Sequence, residues 1–127
     1  MIAERKNGFD LEERLIDYAV RIIAVAESLP NTKAGQHVSG QLLRSGTSPA
    51  PNYGEAQSAE SRSDFIHKVK IALKELLESL VWLKIIVRTG MIKPSEKLGP
   101  LLVETDELIS ILFASASTAK RNLKNNE

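Results

Sequence analysis

The chain has 127 residues, no cysteine and a formal net charge of +1. Its length suits a single domain, and the lack of thiols excludes disulfides and thiolate metal sites and fits a reducing cytoplasm. The near-neutral balance does not suit coating nucleic acid through bulk charge, no apolar run approaches the roughly 20 residues that cross a bilayer, and the N-terminal stretch MIAERKNGFDLEER lacks the apolar segment of a secretory leader.

Helix formers dominate the sequence, and aromatic residues are sparse. The first helix is expected over about residues 10–28. Asp10 can cap it, with Glu13 at the capping-box position. Leu11, Leu15, Tyr18, Ile22 and Val25 then recur every three or four residues, widened by Ile16, Ala19, Ile23 and Ala26. Leu29-Pro30-Asn31 ends it, because the residue before a proline avoids the helical region. The second helix is expected over about 32–58, with Val38, Leu42 and Leu43 on its apolar face. Gly46, Pro49, Pro51 and Gly54 make a poor helix interior, since an interior proline costs about 3 kcal/mol. A restart resolves the conflict: Ser48 caps a new turn and the prolines occupy positions whose N–H groups lack intrahelical partners. A kink or break is therefore expected between Ser45 and Pro51.

A polar turn around Ala59–Arg62 leads to the third helix, expected over about 63–89 and capped by Ser63 or a neighbour. Phe65, Val69, Ala72, Leu76, Leu80, Leu83 and Val87 form its main stripe, and Gly90 is placed to end it in a left-handed conformation. The fourth helix, about 95–120, starts at Ser95 or just after Gly99-Pro100. Leu101, Leu102, Thr105, Leu108, Ile109, Leu112 and Phe113 are expected to face inward, and the polar end KRNLKNNE to fray. No segment alternates with period two. Four helices with short connections imply an all-α, antiparallel up-down-up-down four-helix bundle, kinked near Pro49 and Pro51.

The stretches LLRSGTS (42–48), Asn52-x-x-Glu55 and SRSDFIHKVKIALKELLESLVWL (61–83) resemble a family of bacterial four-helix-bundle proteins. That family includes proteins encoded by intervening sequences within large-subunit ribosomal RNA genes. The resemblance runs from about Phe9 to Ile92. It implies a ring-shaped homopentamer of four-helix protomers and no enzymatic activity. Related bundle proteins are accessory subunits of a reverse transcriptase in diversity-generating retroelements, which implies RNA, DNA or such an enzyme as a partner. Pro49, Pro51 and Gly54 depart from the smooth helix of the Ser-x-x-x-Asn-x-x-Glu type.

Arg44, Ser48, Asn52 and Glu55 stand at helical spacing where apolar filling is ordinary. In an antiparallel hairpin Arg44 lies level with Glu75 and Glu78, and Glu55 with Asp64 to Lys68. The preferred reading is structural: Arg44 forms a partly buried ion pair that sets register, and Asn52 bonds backbone near the prolines; a ligand or nucleic-acid site is the alternative. A di-iron bundle needs two Glu-x-x-His motifs. One near match exists, Asp64-x-x-His67 with Glu60 a turn earlier, so no metal or other cofactor is expected. No nucleophile elbow or glycine-rich phosphate loop is present. Lys68, Lys70, Lys74, Lys84 and Arg88 on the third helix, with Lys120, Arg121 and Lys124 at the C-terminus, are candidate phosphate contacts. Within one protomer the third-helix cations are interleaved with Glu75 and Glu78, but a ring would multiply them. The stripes of helices one and three are too wide for one bundle interior, which implies assembly with copies of itself. Tyr18, Tyr53 and Trp82 are its candidate interface anchors; closing the core is their plainer alternative.

Overall fold

The structure, a computed structural model, describes residues 10–125. It contains α1 (Leu11–Glu27), α2 (Lys33–Thr47), α3 (Pro49–Gln57), α4 (Arg62–Thr89) and α5 (Gly99–Asn125), with a 3₁₀ turn at Ser95–Leu98 leading into α5. Since α2 and α3 are two parts of the expected second helix, the chain is an all-α bundle of four helices, with no strand among the described residues. The N-terminal stretch examined for a leader, up to residue 9, and residues 126 and 127 of the polar tail lie outside the described part.

Local chemistry accounts for most boundaries. Asp10 is extended and its side chain accepts from the Glu13 N–H, and Thr32 does the same for Gly35 at 3.0 Å. Gly90 closes α4 at φ 70°, where a Cβ would be strained. The cap of α4 is Ser61 rather than Ser63: Ser61 is extended and accepts from the Asp64 N–H at 3.0 Å, so the helix starts at Arg62. A 3₁₀ turn starts at Ser95, and α5 starts at Gly99, two residues before the start expected just after Gly99-Pro100. That helix continues to Asn125.

The interruption falls at Ser48, between α2 and α3, but Ser48 is not a cap. Its backbone is helical, φ −73° and ψ −35°, and its side chain makes no capping bond. A capping oxygen needs the N–H of the second or third helical residue in reach, and the third is Pro51. The Ser48 hydroxyl instead accepts from Asn52 Nδ2 at 2.9 Å, and the same nitrogen donates to the Ser48 carbonyl at 3.0 Å. The two prolines remove ladder bonds that would end on the Ser45 and Thr47 carbonyls. The ladder resumes at once, with Asn52 N–H on the Ser48 carbonyl at 3.2 Å.

Packing follows the stripes with shifts at a few positions. Leu11, Leu15, Tyr18, Ile22 and Ala26 carry α1 into the core. On α4, Ser79 and Ile86 take inward positions, leaving Leu80 and Val87 half-buried. Small residues set the spacing here: Ser79 Oγ lies 2.8 Å from Ser45 Oγ, a distance a leucine could not fit. On α5, Ala116 and Ala119 continue the buried line, and Phe113 is turned outward, 63% exposed, against the expectation that it faces inward. From Leu112 a helix returns to the same side at 116 and 119, and residue 113 falls roughly 100° away.

The second helix lies between α1 and α4. Ser39 Oγ donates to the Ala26 carbonyl, Gly46 abuts Ile22 and Gly54 lies beside Glu12, so α1 and the second helix run in opposite senses. Arg44 meets Glu75 and Lys68 meets Glu55, so the second helix and α4 do too. Gly46 is essential to the first contact: a Cβ there would stand 2.6 Å from Ile22 Cγ2. A Cβ on Gly40 would meet nothing within 4 Å. Gly46→Ala is therefore expected to cost about 1–3 kcal/mol through overpacking, and Gly40→Ala to add about 0.5–1 kcal/mol through helix propensity. Urea unfolding midpoints measure both, and equal effects would contradict the close contact.

Candidate interaction surface

One polar seam joins α2 and α3 to α4. Arg44 Nη1 donates to Glu75 Oε1 at 2.9 Å, while Nη2 reaches Glu78 Oε2 and, at 3.3 Å, Gln41 Oε1. Glu78 also accepts from Trp82 Nε1 at 3.0 Å. The Trp82 ring meets His37 edge to face, centroids 5.8 Å apart. Lys68 Nζ pairs with Glu55 Oε1 at 2.7 Å. Behind this ladder lies the buried pair of Ser45 and Ser79, whose hydroxyls also bond the Leu42 and Glu75 carbonyls. The expected partners of Arg44, Asn52 and Glu55 are thus in contact, but Arg44 is 51% exposed along its side chain. It is a surface ion pair rather than a partly buried one, and such pairs are worth about 0–1 kcal/mol.

A second set of ties, not foreseen in the sequence, joins α1 to α5. Arg14 Nη2 and Nε grip Glu104 at 2.7 and 3.1 Å, and Nη2 reaches Glu107 at 3.0 Å. Glu104 and Glu107 sit one turn apart on α5, a pattern that presents two acids together, but their partner on α1 is far away in sequence. Beside them Tyr18 Oη lies 2.8 Å from Thr105 Oγ1. Thr105 gives its own proton to the Leu101 carbonyl at 2.7 Å, so Tyr18 is the donor. Burial pushes the Tyr18 phenol up to about 12. Tyr18 is 1% exposed within the single chain and is therefore a core residue, not a surface anchor. Trp82 and Tyr53 are half-buried; the Tyr53 hydroxyl accepts from Gln57 Nε2 at 3.2 Å.

Every buried side-chain N or O atom among the described residues has a hydrogen-bond partner. No three His, Asp or Glu residues among them gather as a metal site, so Glu60, Asp64 and His67 do not form one. No described helix is long and apolar enough to cross a membrane. The candidate cations divide into three groups. Lys68 is held by Glu55. Lys70, Lys74, Lys84 and Arg88 are exposed along α4 and make no ion pair among the described residues, and they share that face with the exposed Leu77 and Val81. Lys120, Arg121 and Lys124 are exposed near the end of α5, where Arg121 reaches Thr118 Oγ1 at 3.5 Å. Ile16, Val20 and Ile23 on α1, with Val103 and Phe113 on α5, are further large apolar side chains in contact with solvent.

Residues 9–114, from the start of α1 through most of α5, match the family model of the 23S rRNA-intervening sequence protein. The chain belongs to this family. The match reaches beyond the α1–α4 motifs into the last helix. A crystal structure of an S23 ribosomal protein family member of unknown function, from Bacteroides thetaiotaomicron VPI-5482, is similar over 84% of this chain and 98% of that one, with 36% identity and a TM-score of 0.78. A comparison with curated proteins finds no match. Membership in the intervening-sequence family thus comes with an all-helical fold and without an assigned activity.

Bonds from Arg44 and then Trp82 hold the Glu78 carboxyl below the usual carboxylate range. A depressed carboxylate contributes stability above its unfolded value, about 4.3, and loses it as pH falls through the folded one. Arg44→Ala is expected to lower stability at pH 7 by no more than about 1 kcal/mol and to shrink the loss between pH 7 and pH 3. Thermal melts at the two pH values test this; a fall of about 3–5 kcal/mol would indicate a buried pair instead.

Proposed function

We propose that this protein is a non-enzymatic scaffold that assembles with copies of itself and presents a repeated basic surface to nucleic acid. The observation that carries self-assembly is the set of large apolar side chains left outside a closed core: Ile16, Val20 and Ile23 on α1, Leu77 and Val81 on α4, Phe113 on α5. The core does not need them, since Leu15, Leu42, Leu76, Leu108 and their neighbours already fill it. Each fully buried leucine contributes about 1.5–3 kcal/mol, and covering the exposed ones on a neighbouring copy draws on the same effect. The family resemblance read from the sequence makes a ring of five the favoured form.

The basic surface proposed for nucleic acid is Lys120, Arg121 and Lys124 at the end of α5, repeated once per copy. One set is modest against a chain charge of +1, but several copies make a surface whose phosphate contacts add. RNA, DNA or an enzyme acting on them is the proposed partner. A purely structural assembly without nucleic-acid affinity is the second reading, favoured by the pairing of Lys68 within the chain.

Light scattering on the purified protein is expected to give several times the 14.0 kDa chain mass, five times for the favoured ring; a monomer at micromolar concentration overturns the assembly. Gel shifts with single- and double-stranded RNA and DNA are expected to weaken steeply with salt and to be lost in K120A/R121A/K124A. An assembled protein that shifts nothing at low salt supports the second reading.

A further inference from the structure

We infer that the contact between copies joins two different faces, the outer stripe of α1 on one copy and the outer stripe of α4 on the next. This rests on the self-assembly proposed above and names its surfaces.

On α1, Glu13, Ile16, Val20, Ile23 and Glu27 recur at spacings of three and four, so they lie along one side of the helix, with Asp17 next to them. All six are exposed, Val20 the most at 60%. On α4, Lys70, Lys74, Leu77, Val81, Lys84 and Arg88 follow the same alternation and are likewise exposed, Val81 at 55%. Each stripe has an apolar centre and charged ends. The charges at the ends of the α1 stripe are acidic, with the exposed Arg21 a basic neighbour of Val20, and those on α4 are basic. Asp17 and Glu27 make no ion pair with a described residue, and neither do the four α4 cations.

The spacing is close to that of a two-helix seam, averaging 3.5 residues on α1 and 3.6 on α4. The α1 stripe spans roughly 21 Å and the α4 stripe roughly 27 Å at 1.5 Å per residue, so one can lie along the other. Opposite charges then flank a common apolar strip. Pairing like with like fails on the same residues: two α1 stripes bring acids together, and two α4 stripes bring four cations against four. Nucleic acid is a poorer occupant of the α4 stripe, because phosphates would not cover Leu77 and Val81.

The two stripes do not cover one another within one copy, since the residues of both are exposed to solvent. A copy whose α1 stripe is covered still offers its α4 stripe. Such a head-to-tail contact yields a closed ring or an open filament rather than a two-fold dimer.

The natural chain has no cysteine, so introduced thiols report contacts without background. V20C and V81C chains, mixed and oxidised, are expected to give a covalent heterodimer that neither chain gives alone, and V20C/V81C in one chain a ladder of multimers. Charge reversal supplies the second measurement. D17K/E27K and K84E/R88E are each expected to weaken assembly at least tenfold by light scattering, and the four changes combined to restore it. Circular dichroism confirms that each variant remains helical. A full-sized assembly that gives no V20C–V81C product and is insensitive to either reversal overturns the stripe pairing and leaves self-assembly standing. A monomeric wild-type protein overturns both.

Discussion

The closeness of the second helix to both of its neighbours is the constraint on which the rest depends. Ser45 and Gly46 are adjacent in sequence and point toward different helices. Gly46 lets α2 press against Ile22 of α1, where no Cβ would fit. Ser45 meets Ser79 of α4 hydroxyl to hydroxyl. Small side chains on both flanks seat the second helix closely against α1 and α4. The outer stripes of α1 and α4 both remain open to solvent. Larger residues at 45 or 46 would loosen one flank and move a stripe.

Packing and polar contacts have different duties in this bundle. The fully buried leucines and isoleucines carry the stability, because each removes a whole apolar side chain from water. The ion pairs of Arg44 and Arg14 lie at or near the surface and contribute far less. Their value is positional. Arg44 meets Glu75 and Glu78 in only one register of α2 against α4, and Arg14 meets Glu104 and Glu107 in only one register of α1 against α5. The buried Tyr18–Thr105 bond acts in the same way inside the core, where an unpaired phenol would be costly. The interruption at Ser48 is absorbed locally, by Asn52 bonding to Ser48, and does not break the second helix into independent pieces.

Much of this was legible in the chain itself. The four helices, the αL end at Gly90, the break beside the prolines and the partners of Arg44 and Glu55 follow from local rules: period, caps, proline chemistry and the register imposed by a short turn. The site was legible only in part. The candidate residues of α2–α4 lie along one seam because a hairpin connects neighbours in sequence. The Arg14–Glu104 grip and the Tyr18–Thr105 bond join residues about ninety positions apart, and no local rule pairs them.

The sequence by itself determined which residues are helical and how wide each apolar stripe is, because both depend on spacing along one chain. Only the tertiary structure decided how each stripe divides between core and surface. Tyr18 went inside because Thr105 waits opposite it with a free acceptor, and Phe113 went outside because the small Ala116 and Ala119 carry the buried line past it. Burial is a property of what lies across the gap, and that partner comes from elsewhere in the chain.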